Sequence, residues 1–324
     1  MTCRAALSRR GLVLGLGAWG VAGVAAAQDV PPPADQPASE LDQALALLPN
    51  VETRLSTAVM LNGRGPFQFV VDTGANRTTI SQQLALQLRL PEGPLALVHG
   101  LAAAEAAPTA LIARLRLGEG LFRNILAPTF PQARLAADGL LGLDVLGYYR
   151  LVFDHVNGRL LIDGRGGGVR VLRGSGFGTR IPPPGLIQGR QKFGMLTVIP
   201  ARIDGVEAEA FIDTGSQYTI GNRALLEAIH TRRPDPERRE FNVPLIGATG
   251  QTAPGRLAVV RSLGIGTAEF VDHPVLFADL HTFDVWEMSD RPALILGADV
   301  IRGFSTVEMD LRRNWVRFGP LMRG

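Results

Sequence analysis

The stretch FVVDTGANRTTI (residues 69–80) is repeated in similar form later in the chain, as AFIDTGSQYTI (residues 210–220). Each copy is an apolar run that leads into Asp-Thr-Gly and then into polar residues. An apolar run that ends at Asp and Gly is typical of a strand followed by a tight turn. Turn statistics explain a single copy, whereas two copies in matching context indicate that the chain consists of two equivalent halves.

Two aspartates, Asp72 and Asp213, occupy the same place in the two copies. Two carboxyl groups within hydrogen-bond reach cannot both ionise cheaply, so such a pair holds one proton between its members. One group can then act as base on a bound water while the other donates a proton to a substrate carbonyl. Because the proton belongs to the pair, the sequence assigns no separate roles to the two residues. We predict that Asp72 and Asp213 are catalytic.

The residues that follow each aspartate suit this pairing. Thr73 and Thr214 each offer a hydroxyl that can tie the two turns together across the site. Gly74 and Gly215 have no Cβ, so the backbone can adopt a strained turn and the carboxyl groups can approach closely. We expect these four residues to support the active-site loops.

A second motif is repeated farther along each half, as GLLGLDVL in residues 139–146 and LILGADVI in residues 294–301. Two aliphatic residues precede a glycine, which is typical of a fully buried strand. Gly142 and Gly297 then suit a close backbone approach at the end of that strand. We therefore place both glycines beside the active site.

Each half also contains a segment rich in small residues, VHGLAAAEAAP in residues 98–108 and LIGATGQTAPG in residues 245–255. Both precede an apolar pair of strands, so each segment can form a hairpin tip that covers a cleft. A plain surface loop is the alternative, because most loops only connect elements. In the first interpretation, the residues that contact substrate are His99, Gly100, Gly247, Thr249 and Gly250.

Short strands, frequent turns and few helices characterise both halves and predict an all-β fold. Asn62-Gly63 and Asp204-Gly205 are strong hairpin signals, each placed between the two strands that lead to an Asp-Thr-Gly motif. A short helical pattern follows each motif, in SQQLALQL (81–88) and in NRALLEAIH (222–230).

Two irregular stretches are interpreted as connections. GRGGGVRVLRGSGFGTRIPPPG (164–185) joins the halves, and its arginines are compatible with an RNA or another anionic surface. Its Gly and Pro content favours the alternative, a linker between domains. HTRRPDPERRE (230–240) has no counterpart in the first half, and its charges predict a solvated connection.

The composition limits the class of protein. The chain has 324 residues, of which 46% are hydrophobic and 19% charged, as is typical of a globular protein with about two domains. The five histidines form no metal-binding spacing such as HExxH, and neither a P-loop nor a serine-hydrolase motif is present. We therefore expect no metal and no cofactor. The single cysteine, Cys3, leaves the chain without a disulfide framework.

Residues 1–27 resemble a secretory signal peptide. They carry three arginines and no acid, then an apolar Gly-rich stretch, and they end in three alanines. The Arg9-Arg10 pair is typical of a twin-arginine export signal, and a general secretory signal is the alternative. Without this segment acidic and basic residues balance, so we expect no nucleic-acid partner and, after cleavage, no membrane span. Residues 28–50 are interpreted as a Pro-rich tether.

The paired motifs resemble those of aspartic proteases, specifically the retropepsin-like branch found in bacteria, in a duplicated form similar to the two-lobed pepsins. The resemblance covers residues 51–318. It implies two pseudo-symmetric acid-protease β-barrel lobes with a few short helices. The N-terminal lobe would occupy residues 51–165, the linker residues 166–185 and the C-terminal lobe residues 186–324.

The same resemblance implies roles for individual residues. Asp72 and Asp213 would form a catalytic dyad across an internal pseudo-two-fold axis, with a bound water as nucleophile and no metal. Thr73 and Thr214 would interlock beneath that dyad. The two segments rich in small residues would border the substrate cleft.

The chain departs from the pattern of the families that it resembles in two respects. The first motif continues with Ala75, as in retropepsins, and the second with Ser216, as in pepsins. Ser216 is expected to support its loop and to donate a hydrogen bond to Asp213, which would favour the charged form of that carboxyl group. Neither hairpin tip carries the tyrosine of pepsin flaps. A cleft lined by Leu, Ile, Val and Ala predicts a preference for apolar substrate side chains.

Two classes of function remain. The first is an aspartic endopeptidase that hydrolyses peptide bonds in the bacterial envelope, periplasmic or secreted, and acts as a monomer because one chain supplies both aspartates. The second is a non-catalytic peptide-binding protein that retains the protease fold and cleft. An aspartate in both motifs favours the first class, because a binding protein does not need two carboxyl groups that share a proton.

Overall fold

The computed structural model describes residues 55–100, 102–164, 167–168, 185–192, 196–247 and 251–322. The predicted signal peptide and tether lie outside these residues, as does most of the predicted linker. None of the described helices is both long and apolar enough to cross a membrane.

Strands dominate both halves of the chain. The strands of the first half are β1 (Ser56–Leu61), β2 (Arg64–Val71), β3 (Thr79–Ser81), β4 (Glu92–His99), β5 (Ala104–Leu117), β6 (Gly120–Phe130), β7 (Gly139–Leu141), β8 (Arg150–Asp154), β9 (Arg159–Gly164) and β10 (Gly167–Gly168). Those of the second half are β11 (Leu186–Gln188), β12 (Arg190–Lys192), β13 (Leu196–Ile203), β14 (Val206–Ile212), β15 (Ile220–Gly221), β16 (Glu240–Ile246), β17 (Thr252–Ile265), β18 (Ala268–Phe277), β19 (Ala293–Leu296), β20 (Thr306–Asp310) and β21 (Trp315–Phe318).

The described helices are short. They are α1 (Gln82–Gln87), α2 (Gln132–Leu135), α3 (Leu143–Leu146), α4 (Arg223–Arg232), α5 (His281–Val285) and α6 (Ala298–Ile301). The two helices predicted from sequence, α1 and α4, are present and begin at capping side chains. Ser81 Oγ accepts a hydrogen bond from the Leu84 backbone N–H at 3.1 Å, and Asn222 Oδ1 accepts one from Leu225 at 2.9 Å.

Each half closes into a six-stranded β-barrel. In the first lobe the order is β1-β2-β7-β3-β6-β5, and the pairing of Leu61 with Leu115 joins β1 back to β5. In the second lobe the order is β13-β14-β19-β15-β18-β17, and the pairing of Ile203 with Leu263 closes the barrel. The predicted all-β fold with two pseudo-symmetric barrel lobes is confirmed.

Equivalent hairpins start the two barrels. Asn62 and Gly63 have φ values of 50° and 81°, and Asp204 and Gly205 have values of 46° and 82°. Two consecutive residues with positive φ are the signature of a type I′ turn, which matches the right-handed twist of the flanking strands. Both predicted hairpins are present, and they bring β2 and β14 to the same place in their barrels.

A third sheet connects the lobes. Its order is β10-β9-β8-β20-β21-β11, so three strands of the first half lie beside three of the second, and the two sets meet through backbone hydrogen bonds between β8 and β20. Leu151 of β8 pairs with Met309 of β20, and both side chains are buried. Because this sheet is continuous, the orientation of one barrel relative to the other is set by main-chain pairing.

The predicted solvated connection at residues 230–240 is wrong at one position. The side chain of Arg238 is only 4% exposed and pairs with Asp204, whose side chain is fully buried, at 2.5 Å. Asp204 Oδ1 also accepts the Ser262 backbone N–H at 3.0 Å. The insertion therefore anchors the hairpin turn that precedes the second Asp-Thr-Gly motif.

Candidate active site

The two Asp-Thr-Gly loops face each other between the barrels. Asp72 follows β2 and Asp213 follows β14. A Cβ atom added to Gly74 would lie 2.4 Å from the Asp213 carboxyl carbon, and one added to Gly215 would lie 2.6 Å from that of Asp72. Each carboxyl group therefore packs against the glycine of the opposite loop. No residue with a side chain fits at either position without displacing a carboxyl group.

Beneath the carboxyl groups the threonines cross between the lobes. Thr73 Oγ1 donates a hydrogen bond to the Ile212 carbonyl at 2.7 Å and accepts the Thr214 backbone N–H at 3.1 Å. In the mirror arrangement, Thr214 Oγ1 donates to the Val71 carbonyl at 2.7 Å and accepts the Thr73 N–H at 3.2 Å. These reciprocal bonds hold the two loops at one separation.

Backbone N–H groups orient both carboxylates. Asp72 Oδ1 accepts the N–H groups of Gly74 and Ala75, each at 3.0 Å. Asp213 Oδ1 accepts those of Gly215 at 2.8 Å and Ser216 at 3.2 Å. Because each loop presents the same two donors, the carboxyl planes have the same support on both sides of the pseudo-two-fold axis.

The Ser216 hydroxyl does not take the predicted direction. It donates its proton to the Tyr218 carbonyl at 2.8 Å, and only the backbone N–H of Ser216 contacts the Asp213 carboxylate. The hydroxyl thus braces the loop internally. The hydroxyl bond that was expected to favour the charged form of Asp213 is therefore replaced by a bond to the backbone.

Gly142 and Gly297 lie against the Asp-Thr-Gly loops. A Cβ at Gly142 would be 2.4 Å from the backbone carbonyl carbon of Arg77, and one at Gly297 would be 2.3 Å from that of Tyr218. The loop backbone occupies the space that a side chain would need. These glycines allow the strand ends to press directly on the segments that carry the aspartates.

The sequence reasoning missed a pair of carboxylates that anchor these loops. Asp144 Oδ1 accepts the Thr78 N–H at 2.8 Å and the Thr78 hydroxyl at 2.7 Å. Asp299 accepts the Thr219 N–H at 2.9 Å and its hydroxyl at 2.8 Å. An alignment of the two halves would have revealed them, because both motifs have a threonine six residues after the aspartate and an acid two residues after the later glycine.

Burial shifts the pKa of two groups near the loops. Removal from water raises the pKa of the Asp144 carboxyl group, and hydrogen bonds from Thr78 oppose that shift. Burial also raises the pKa of the Tyr218 phenol, and the charge of Asp299 adds to the increase. The Tyr218 side chain is therefore neutral at physiological pH.

A cleft of about 330 Å³ opens above the carboxyl groups. Its walls include both aspartates and three residues of the predicted hairpin tips, His99, Gly100 and Gly247. Thr249 and Gly250 lie outside the described residues. The apolar part of the wall consists of Leu97, Val98, Pro128, Phe130, Leu135, Leu140, Val285, Trp286 and Ile295.

The first hairpin tip reaches across the cleft to the second lobe. His99 Nδ1 lies 2.9 Å from His281 Nε2 of α5, and the two imidazole rings are stacked. The Ala103 backbone N–H donates to Gln251 Oε1, next to the second tip, at 2.8 Å. The first tip thus contacts both α5 and the second tip on the other side of the cleft.

Comparison with protein families finds one protease domain in each half of the chain. Residues 57–148 match the model described as "gag-polyprotein putative aspartyl protease", and residues 199–300 match the model described as "Aspartyl protease". The chain belongs to the aspartyl proteases. Its two protease domains are similar to a retropepsin-like protease with two lobes in one chain. Among curated proteins, none matches this chain.

A metal-dependent site finds no support in the part of the chain that the structure describes. That part contains no group of three or more His, Cys, Asp or Glu side chains placed to hold a metal ion. The facing aspartates are the chemically distinctive feature of the cleft.

Proposed function

We propose that the protein is an aspartic endopeptidase whose catalytic groups are Asp72 and Asp213. The observation that carries this proposal is the packing of each carboxyl group against the glycine of the opposite loop. At this proximity the two groups share one proton, so the pair offers a base and an acid at the same time. The aspartyl protease domains support a peptide as substrate.

The reaction needs one water and no other reagent. The ionised carboxyl group of the pair removes a proton from the water, whose oxygen attacks the peptide carbonyl carbon. The protonated member donates its proton to the carbonyl oxygen, which gives a neutral tetrahedral intermediate. The carboxyl group that took the proton from water then donates it to the leaving nitrogen as the C–N bond breaks. The other carboxyl group removes a proton from one hydroxyl of the intermediate, which becomes the carboxylic acid product, so the pair again holds one proton.

The surrounding structure supports this chemistry by keeping the groups in place. The hydrogen bonds between Thr73, Thr214 and the opposite backbone hold the separation of the two aspartates. A prealigned pair lowers the barrier because no reorganisation is needed during reaction. We propose that the apolar cleft wall binds apolar side chains next to the scissile bond, and that one chain forms the complete site as a monomer.

The test compares wild-type protein with Asp72→Asn and Asp213→Asn on an unfolded protein and a peptide library between about pH 3 and pH 8. Each variant is expected to lose at least about 1,000-fold in kcat/KM, because one neutral amide cannot share a proton with the remaining carboxyl group. Asp290→Asn, an exposed position outside the cleft, is the matched control and should retain activity.

Undiminished cleavage by either dyad variant would contradict the assigned catalytic pair. Failure of folded wild-type protein to cleave any substrate across this range would instead favour a non-catalytic peptide-binding protein.

We also propose that the protein acts in the bacterial envelope. The support is the sequence of residues 1–27, with its arginine pair, apolar stretch and terminal alanines. Fractionation of cells that express the full chain should place a shortened protein outside the cytoplasm. Replacement of Arg9 and Arg10 by Lys should retain it inside if the twin-arginine route is used. Recovery of full-length protein in the cytoplasm would contradict the proposal.

A further inference from the structure

The walls of the cleft have an uneven charge. Apart from Asp72 and Asp213, its described lining contains no acidic side chain, whereas it contains Arg77 and His99. Arg77 is permanently charged and exposed, and it lies five residues after Asp72. Arg77 therefore contributes the one permanently charged basic side chain among the described residues that line the cleft.

The backbone that carries Arg77 is firmly held. Its carbonyl carbon lies directly against Gly142, where even a Cβ atom would be only 2.4 Å away. The next residue, Thr78, is fully buried and donates two hydrogen bonds to Asp144. Because the backbone is fixed, binding of a ligand has to order only the side-chain torsions of Arg77, so its position is suited to selective recognition.

The charge of Arg77 is not neutralised by a close partner. Among the described residues no carboxylate lies within ion-pair distance of its guanidinium group. Asp144 interacts with it electrostatically, and the Asp144 carboxyl group already accepts hydrogen bonds from the N–H and hydroxyl of Thr78 and from the Val145 N–H. The guanidinium thus retains donors for a further carboxylate.

The second lobe has no equivalent charge. The residue five positions after Asp213 is Tyr218, which is half-buried against the hydrophobic core. Its phenol is neutral, because burial raises its pKa. Among the described residues that line the pseudo-symmetric cleft, the basic side chains therefore belong to the first lobe.

We propose that Arg77 makes the cleft select peptides with an acidic side chain on the first-lobe side of the scissile bond. This inference rests on the proposed endopeptidase function and adds its substrate class. A carboxylate of Glu or Asp can receive two parallel N–H donors from a guanidinium group, a geometry that no neutral side chain reproduces. Because the charge is on one side only, it also sets the direction in which a peptide lies in the cleft.

The test uses a peptide that the library identifies by cleavage or, where nothing is cleaved, by binding to the protein. Three versions of this peptide carry Glu, Gln or Lys at one position, and each position that faces the cleft is varied in turn. For wild type, the Glu version at one position is expected to have a kcat/KM roughly 3- to 10-fold above that of the Gln version, and the Lys version should be worst. That factor corresponds to an ion pair that remains partly exposed to solvent.

Variants at Arg77 separate the effect of its charge on substrate preference from the effect of its shape. Arg77→Lys should keep a preference for Glu, Arg77→Gln should cleave the Glu and Gln versions equally, and Arg77→Glu should prefer Lys. Arg123→Glu is the matched control, since it makes the same change in net charge at an exposed position outside the cleft. The preference of this control should equal that of wild type.

A binding measurement makes the result independent of activity. The inactive Asp72→Asn variant is titrated with the same labelled peptides, with and without Arg77→Gln, and fluorescence anisotropy gives the dissociation constants. Glu preference in binding without cleavage by the wild type supports the role of Arg77 and contradicts the endopeptidase. Cleavage or binding that is indifferent to peptide charge at every position overturns the role of Arg77 alone. Absence of both binding and cleavage overturns both proposals.

Discussion

The two lobes support their aspartates with the same contacts but surround them with different charges. Thr78 with Asp144 in the first lobe matches Thr219 with Asp299 in the second, with hydrogen bonds within 0.1 Å of one another in length. The two halves thus share the hydrogen bonds that fix backbone position. The side chains that set the electrostatic environment were free to diverge.

The divergence is concentrated at a few positions. His273 Nε2 lies 3.4 Å from Asp299 Oδ2 in the second lobe. The β17–β18 hairpin of the second lobe is equivalent to the β5–β6 hairpin of the first. At the same distance from the turn, His273 pairs with Val260 in the second lobe and Ile125 pairs with Ile112 in the first. Asp299 therefore has an imidazole beside it, whereas the corresponding strand position in the first lobe carries an aliphatic side chain. At the edge of the site, the first lobe has the charged side chain of Arg77 where the second has the neutral side chain of Tyr218.

Alanine at Gly74 or Gly215 is expected to have the largest effect. The new Cβ would overlap the opposing carboxyl group, so the two aspartates must move and kcat should fall by about 100-fold or more in both variants. Steady-state cleavage of a fluorogenic peptide measures this. Gly264→Ala is the control, because the nearest atom to its Cβ would be 3.7 Å away. If only one of the two alanine variants lost activity, the two loops would not be equivalent in function.

The interlocking threonines should have the next largest effect, on stability. Thr73→Val and Thr214→Val each remove a hydroxyl and leave a carbonyl of the opposite lobe without its donor. We expect each to lower the free energy of unfolding by about 1–3 kcal/mol, measured by denaturant titration. Thr→Ser at the same positions retains the hydroxyl and should cost less. Equal stability of the Val variants and wild type would contradict the interlock.

The smallest effect is a dependence of stability on pH. Because burial raises the pKa of Asp144, the native state binds this proton more strongly than the unfolded chain does. Its contribution is present below the ordinary value of 3.8 and is lost as pH rises through the higher native value. The free energy of unfolding of wild type, relative to Asp144→Asn, should therefore decrease as pH increases over that range. A constant difference would contradict this assignment.

The same substitution at Asp299 tests whether the different neighbours of the two anchoring carboxyl groups affect the pH dependence of stability. Asp299→Asn also changes the contact with His273, a group that can gain a proton, so its pH profile should differ from that of Asp144→Asn. Identical profiles would show that the divergent neighbours have no electrostatic consequence.

Much of the fold could be predicted because its signals are local. Asn62-Gly63 and Asp204-Gly205 adopt positive φ at two consecutive residues, a property of these residue types that needs no knowledge of the rest of the chain. Ser81 caps its helix through an N–H only three residues away. Strands, turns and caps of this kind follow from short-range sterics and hydrogen bonding.

The site was predictable in its centre and less so at its edges. The repeated motif identified Asp72 and Asp213, and the structure brings their loops together. The direction of the Ser216 hydroxyl was not predictable, because the Asp213 carboxylate and the Tyr218 carbonyl both lie within its local reach. The roles of Asp144 and Asp299 were missed because each acts on a loop far away in sequence.

By itself the sequence determined that this protein has two copies of one β-rich unit, and that in each copy a strand ends at an Asp-Thr-Gly motif. Tertiary structure decided the sheet shared by the lobes, the buried pairing of Arg238 with Asp204 and the contact of His99 with His281 across the cleft. The physical reason is the range of the interactions. Turn and cap preferences depend on neighbouring residues, whereas contacts between distant residues exist only after both barrels have folded and docked.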